Sequence, residues 1–443
     1  MFKTLKFGGS SLADGVHFKM VKDIIFSEEG RDAVVVSAPG KRFSGDSKVT
    51  DLLYLCYAHV KYGVDFTGIL NTVKERYQLI VDELDIDYDL DAEFENIKNK
   101  IKSGAGEAYL VSRGEAVCGE IMAAYLGYDF IDAYGNVYFK FDGSIDTAKT
   151  YSKLKESFDK SSGRIVVPGF YGTMPDGRLA LMSRGGSDIT GALVAAALKA
   201  DVYENWTDVP GILMADPNVV DDTYPIPRIT YNELRELTYM GAKVLHEASV
   251  FPVRDAKITL NIRDTNVPDD PGTVINDEFN DEELEGEKYF ITGITGRKGY
   301  SIIDIQQDNI AQKVNTLRDV LKVFEGKGDA IEHILSGVDS FSLIVSSDAI
   351  RPHLYATVAE IEEICGPGSV KVTEGISLIA CISRKMVFRP GISGKIFTAL
   401  GDNNINIRMI SQDAEEMNII IGVEDKDYEK SIRVLYNSFK RMD

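Results

Sequence analysis

The chain has 443 residues, of which 44% are hydrophobic and 27% charged, and its 69 acidic and 49 basic side chains leave a formal net charge of −20. That length exceeds what one hydrophobic core usually serves, so two or three domains are expected. The acidic balance argues against non-specific nucleic-acid binding, and no apolar run reaches the ~18–20 residues of a membrane span. In chain order, a short strand over Leu5–Phe7 runs into Gly8-Gly9, and Asp14–Phe26 has helical spacing. A β-branched strand over Ala33–Ser37 follows, then helical stretches from Thr50 to Lys102 with an acidic, peripheral segment at Asp82–Asp91. Further strands are expected at Arg164–Val167 and Asp201–Asn205. Strands alternating with helices predict an α/β domain with a largely parallel sheet between helices, whose ligands bind beyond the strands' carboxyl ends.

Composition changes near Asp264–Glu287, where Pro268-Asp269-Asp270-Pro271-Gly272 and the acidic run Asn276–Glu287 read as a connector. Beyond it, two rounds of short strands and helices appear. The first holds Ser301–Ile305, the helix Ala311–Phe324, Ile331–Leu335, Phe341–Val345, the helix Pro352–Ile364 and Val370–Thr373. The second holds Leu378–Ile382, the helix Ser393–Leu400, Ile405–Ile410, Met417–Val423 and the helix Tyr428–Phe439. Each resembles a ferredoxin-like β-α-β-β-α-β unit. A strand at Tyr289–Thr295 is left over, and it can complete the second unit with the first inserted inside it. Cys56, Cys118, Cys365 and Cys381 form no close pair of the metal-site kind, and the first residues lack a signal peptide. Reduced thiols and a cytoplasmic protein are therefore expected.

Several loops carry residues suited to anions. Lys6-Phe7-Gly8-Gly9 can present amides and a point charge to phosphate oxygens, although the lysine precedes the glycines, unlike a Walker A loop. Arg184, Gly185, Gly186, Ser187 and Asp188 stand directly before an alanine-rich helix. There two glycines permit close backbone approach, Ser187 or Asp188 can cap the helix, and Arg184 offers a planar fork. Ser112-Arg113-Gly114-Glu115 puts a carboxylate at the mouth of a loop before a helix at Ala116–Tyr125. Trp206-Thr207-Asp208-Val209-Pro210-Gly211-Ile212 forms a further loop, and Gly241-Ala242-Lys243-Val244-Leu245-His246 begins a helix. Taken singly, each stretch fits an ordinary capped turn or a solvated charge equally well.

Together the five stretches occur in the order found in aspartokinases, and the chain resembles that family over nearly its whole length. In the tail, Arg389-Pro390-Gly391-Ile392-Ser393-Gly394-Lys395-Ile396-Phe397 and Asn404-Ile405-Asn406-Ile407 look like the ACT regulatory pattern. The resemblance implies an amino-acid-kinase fold plus two ferredoxin-like ACT units. It places a catalytic domain at 1–275, a linker at 276–288 and interleaved ACT domains at 289–443, the first about 300–375 and the second about 289–299 plus 376–443. It implies transfer of the ATP γ-phosphoryl group, as MgATP, to the side chain of L-aspartate, giving 4-phospho-L-aspartate for lysine, threonine and methionine synthesis. By match to the family, Lys6 and Asp188 are catalytic. Ser37, Thr50, Glu115, Arg184, Gly185, Gly186 and Ser187 face the amino acid, with Arg184 on its carboxylate and Glu115 on its ammonium. Lys6, Phe7, Gly8, Gly9, Thr207, Asp208, Lys243 and Val244 face the nucleotide, and no metal ligand is implied.

An amino-acid effector, L-lysine, is expected near Asn309, Ile310, Ser336, Val338 and Asp339, in a homodimer or dimer of dimers formed through the ACT domains. His333 stands where some lysine-sensitive relatives have an aspartate, which favours threonine or a joint response. The chain departs from the family pattern at Leu213, Asn218 and Glu247. No homoserine dehydrogenase segment follows, so the monofunctional form is expected. A kinase for another amino acid, or an amino-acid sensor with an inactive kinase domain, remain the alternatives.

Overall fold

The uninterrupted apolar runs of the N-terminal half form strands covered on both faces. In the computed structural model, residues 1–183, 185–242, 245, 247–280, 290–307, 314–412, 414–415 and 417–440 are described. They form two compact units, Met1–Ile212, Pro225–Tyr231 and Lys243–Phe279 in one, and Leu213–Tyr224, Asn232–Ala242 and Asn280–Asp443 in the other. In the first, β1 (Lys3–Phe7) leads to α1 (Gly15–Phe26), whose N-cap Asp14 accepts the His17 N–H at 3.0 Å. After β2 (Arg31–Val36), the long helical stretch divides into α2 (Val49–Lys61), α3 (Thr67–Leu84) and α4 (Leu90–Lys102). The acidic segment runs from the last turn of α3 through the connection 85–89 into α4, with its carboxylates exposed and Leu84 and Leu90 buried.

α5 (Glu107–Leu126) corrects the sequence expectation, because Ser112-Arg113-Gly114-Glu115 lies inside one continuous helix. Gly114 does not break it. A side chain there would press to 3.0 Å from the Ala38 Cβ and 3.1 Å from Leu53, so close packing outweighs the helix-breaking preference of glycine. The unit continues with β3 (Asp129–Phe130), α6 (Thr147–Asp159), β4 (Ile165–Pro168), the small hairpin β5 (Tyr171–Thr173) and β6 (Leu179–Leu181), and α7 (Gly186–Leu198). β7 (Val202–Thr207), β8 (Arg228–Thr230), α9 (Glu247–Asp255), β9 (Thr259–Asp264) and β10 (Thr273–Asn276) follow, while α8 (Tyr231–Tyr239), next after β8 in the chain, belongs to the second unit from Asn232 onward. The eight-stranded sheet has the order β3-β4-β2-β1-β7-β9-β10-β8, parallel except where β10 meets β9.

Period-two alternation gives β7 two different jobs. On one face, Glu204 is 1% exposed and accepts from Lys3 at 3.0 Å, Arg31 at 3.1 Å and the Trp206 indole at 2.9 Å. This buried carboxylate is shared by two buried cations whose other carboxylate partner is the half-exposed Glu28, at 2.6 and 3.2 Å, so Glu204→Ala removes the buried carboxylate partner of both. The expected loss is ~3–5 kcal/mol of unfolding free energy, read from the urea midpoint. A loss within ~0.5 kcal/mol would assign the cluster no structural weight.

In the second unit, β11 (Gly293–Gln306), α10 (Val314–Glu325), β12 (Ile331–Ser336), β13 (Ser340–Ser346), α11 (Leu354–Cys365) and β14 (Val370–Ile382) precede α12 (Ile392–Asp402), β15 (Met409–Gln412), β16 (Asn418–Glu424) and α13 (Tyr428–Lys440). One six-stranded antiparallel sheet, β12-β13-β11-β14-β16-β15, carries both rounds of the pattern. The strands expected separately at 301–305 and before it, and at 370–373 and 378–382, are each one continuous strand. Gly299 at φ 86° and Gly375 at φ 73° are accommodated within them, and the β11–β14 register shifts around Tyr300 instead of ending. The C-terminal half of β11 pairs with β13, Tyr300 to Gln306 against Ser346 to Ser340, and its first half pairs with the last half of β14, Gly293 to Arg297 against Ile382 to Leu378.

Candidate active site

Parallel pairing puts the carboxyl ends of β4, β2, β1 and β7 along one edge of the first unit's sheet. Lys6, one residue before the end of β1, pairs in register with Asn205 of β7. Its ammonium lies 2.5 Å from Oδ1 of Asp188 and donates to Oδ1 of Asn205 at 3.4 Å. Asn205 in turn donates its amide to the same Asp188 oxygen at 3.0 Å, and the Tyr203 hydroxyl donates to the Asp188 carbonyl at 3.1 Å. The Lys6 side chain is 8% exposed and that of Asp188 20%, so a strong ion pair stands at the rim of the sheet with one face open.

Asp188 reaches this position from the first turn of α7. Gly185 precedes the helix at φ 78°, a left-handed conformation that favours glycine, and no side chain caps the helix. The expectation that Ser187 or Asp188 caps it is therefore corrected. Asp188 is occupied by Lys6 and Asn205 instead, while Gly186 and Ser187 open the helix with Gly186 buried. Arg184 lies outside the described residues.

The Gly8-Gly9 turn meets the loop after β2 backbone to backbone. Gly40 N–H donates to the Gly9 carbonyl at 2.7 Å, and a Cβ on Gly9 would fall 2.7 Å from the Ala38 carbonyl oxygen. Gly8 N–H donates to the Trp206 carbonyl at 3.1 Å, and Phe7 is fully buried against Trp206. Ser37 donates its N–H to the Phe7 carbonyl at 3.3 Å, and Thr50 is the second residue of α2. Glu115 comes up from α5 beneath this loop. It is 4% exposed, the Ala38 N–H lies near enough to its carboxylate to favour the charged form, and its Oε2 has no hydrogen-bond partner. Burial pushes its carboxyl up to about 8, against the smaller lowering effects of backbone N–H groups and Arg113. A buried carboxylate with an orphaned oxygen is suited to an incoming cation.

Thr207 ends β7, so it is a strand residue and not part of a loop, and its hydroxyl donates to Asp208 at 3.2 Å. Lys243 and Val244 lie outside the described residues. The helix expected to start at Gly241 begins at Glu247. Ser336, Val338 and Asp339 belong to the other unit, at the exposed β12–β13 turn, where Gly337 N–H bonds the Ser340 carbonyl at 2.7 Å. Asn309 and Ile310 lie outside the described residues.

Residues 1–264 match the amino acid kinase family, and residues 379–439 match the ACT domain. Aspartokinase 3 of Bacillus subtilis is 33% identical over 99% of this chain and 98% of its own length. The aspartate kinase of Clostridium acetobutylicum superposes with a TM-score of 0.87 at 44% identity, covering 99% of both chains. The chain belongs to the aspartokinases. Escherichia coli aspartokinase III, solved with aspartate and ADP, shares the fold at a TM-score of 0.72 and 24% identity over 99% of both chains. The enzyme is thus an ATP-dependent aspartate kinase carrying ACT regulation.

Its site also contains residues that the motifs did not single out. Asn205 and Tyr203 set the positions of Lys6 and Asp188. Alternation along β7 is a sequence signal that could have put Tyr203, Asn205 and Thr207 on a common face, had the strand been extended to Thr207. Among the described residues no group of three or more His, Cys, Asp or Glu side chains is arranged to hold a metal ion. Mg²⁺ is usually bound through one or two carboxylates and the nucleotide's own phosphates. Asp188, in the first turn of α7, and Asp208, just after β7, fit that mode.

Proposed function

We propose that the rim of β1, β2, β7 and α7 performs in-line transfer of the γ-phosphoryl group to the side-chain carboxylate of L-aspartate. A carboxylate oxygen attacks phosphorus, the bond to the ADP oxygen breaks, and ADP leaves with the electron pair. No proton has to move. Catalysis of this kind is mainly positioning and charge stabilisation. Lys6 stabilises charge on the transferring group, and Asp188 holds Lys6 in place with Asn205. Gly8, Gly9, Thr207, Asp208, Lys243 and Val244 serve the nucleotide. Glu115 receives the substrate ammonium, Arg184 its α-carboxylate, and Ser37, Thr50 and Gly185 to Ser187 line the acceptor side. Asp188 or Asp208 would hold the Mg²⁺ of the nucleotide complex, which would neutralise phosphate charge. The observation that carries this reading is the Lys6–Asp188 pair, which brings the end of β1 and the first turn of α7 together at one edge.

The product, 4-phospho-L-aspartate, would feed lysine, threonine and methionine synthesis. We assign the catalytic part to 1–275, the linker to 276–288 and two interleaved ACT domains to 289–443. L-Lysine would act at Ser336, Val338 and Asp339 with Asn309 and Ile310, in a homodimer or dimer of dimers. Among the described residues no helix is long and apolar enough to cross a membrane, which supports a cytoplasmic placement. The test is ADP release with L-aspartate, L-glutamate or no acceptor. Release with aspartate alone is expected. Equal release with glutamate would overturn the acceptor, and none with either would leave a sensor.

A further inference from the structure

A cleft of about 230 Å³ opens between α8 and the six-stranded sheet, and the described residues that line it all belong to the second unit. α8 contributes Arg235, Glu236 and Tyr239, β12 contributes His333, and β15 and β16 contribute Ser411 and Ile420. The space is many times the ~10–15 Å³ that one water requires, and suits a molecule of several heavy atoms.

The lining is unusual in what it leaves uncompensated. The exposed Arg235 guanidinium has neither an ion pair nor a hydrogen bond among the described residues. Glu236 accepts the Asn418 amide at 2.7 Å, yet no cation neutralises it among the described residues. Adjacent helical residues do not face one another, so these two opposite charges line one cleft without pairing. His333 adds a buried Nε2 with no partner, and burial lowers its affinity for a second proton against the opposing pull of Glu332, favouring a neutral ring. The Tyr239 hydroxyl is already engaged by Glu332 at 2.5 Å. Its ring and Ile420 remain as an apolar wall.

A simple anion entering here would meet Glu236, and a simple cation would meet Arg235. A zwitterion meets neither objection. We propose that this cleft binds a free α-amino acid, with its carboxylate on Arg235 and its ammonium on Glu236. The side chain lies along Ile420 and the Tyr239 ring, and a polar tip reaches the His333 Nε2 or the Ser411 hydroxyl. The planar fork of Arg235 suits the carboxylate, and the Asn418 amide fixes the Glu236 carboxylate for the ammonium. The cleft shares no residue with the β12–β13 turn assigned above to the effector, and stands whether or not that assignment holds.

Titration calorimetry of the full chain tests it, using each of the twenty L-amino acids, with inorganic phosphate, acetate and methylammonium as single-charge probes. At least one amino acid should bind, with affinity falling about tenfold or more in both Arg235→Ala and Glu236→Gln and unchanged in Asp339→Ala. Arg235→Lys should recover only part of the loss. Matching thermal midpoints would show that the variants remain folded. The proposal is overturned if no amino acid binds at about 10 mM, or if binding is indifferent to both cleft substitutions. Phosphate or acetate binding that survives Glu236→Gln, with no amino acid bound there, would make the cleft an anion site and overturn it equally.

Discussion

Replacing Lys6 with alanine is expected to lower kcat by ~10²–10³ or more while the protein stays folded, the usual cost of removing a group aimed at developing charge. Asp188→Ala should match it within about tenfold, because Asp188 is what fixes the ammonium, through a 2.5 Å contact reinforced by Asn205. The double variant should be little worse than either single one, since residues acting as a unit are not additive. Steady-state ADP release with saturating aspartate checks all three. Near-normal turnover in both single variants would remove the pair from the chemistry. Fully multiplicative losses would mean that the two residues act separately.

Glu115→Gln should separate binding from stability in opposite directions. Burial holds the folded carboxyl at about 8, above its ordinary value of 4.5. An acid whose folded affinity for protons is raised binds more protons folded than unfolded between those two values, so stability falls as pH rises from about 4.5 to about 8 and then levels off. Glutamine carries no such charge, so the variant should gain ~2–3 kcal/mol relative to the parent at pH 7, with the difference vanishing near pH 4. The aspartate KM should rise by ~10²-fold or more as the ammonium loses its carboxylate, with the ATP KM little altered. Binding of aspartate near pH 7 should also release close to one proton, read from calorimetry in buffers of different ionisation enthalpy. A stability difference independent of pH would show that Glu115 is ionised throughout. An unchanged aspartate KM would move the ammonium elsewhere.

The α/β half was legible because buried parallel strands are continuous β-branched runs, and the loops after them carried glycine pairs and charged residues at recognisable spacing. What could not be read was set by register. Lys6 and Asn205 are 199 positions apart, and nothing local to either says that β1 and β7 are neighbours. Glu204 reads as one more surface acid until β7 is known to be buried on that face. Glu115, expected at the mouth of a loop, lies inside α5, where Gly114 is kept for its closeness to Ala38. Antiparallel pairing likewise carries β11 through Gly299 and β14 through Gly375, past the breaks expected between their halves. The α7 start failed differently: Asp188 is chemically able to cap, but a stronger partner occupies it.

The two long strands β11 and β14 have a further consequence for how the second unit can come apart. Each supplies backbone partners to both rounds of the pattern, so a cut anywhere between Val370 and Ile382 severs a strand that both halves use. The segment inserted between the two halves of the pattern cannot be lifted out as a free-standing module without exposing the edges of the strands that bracket it. Neither half can therefore melt while its neighbour keeps a complete sheet. Hydrogen exchange should accordingly find the slowest amides of β11 and β14 opening with a single common free energy, as one indivisible block.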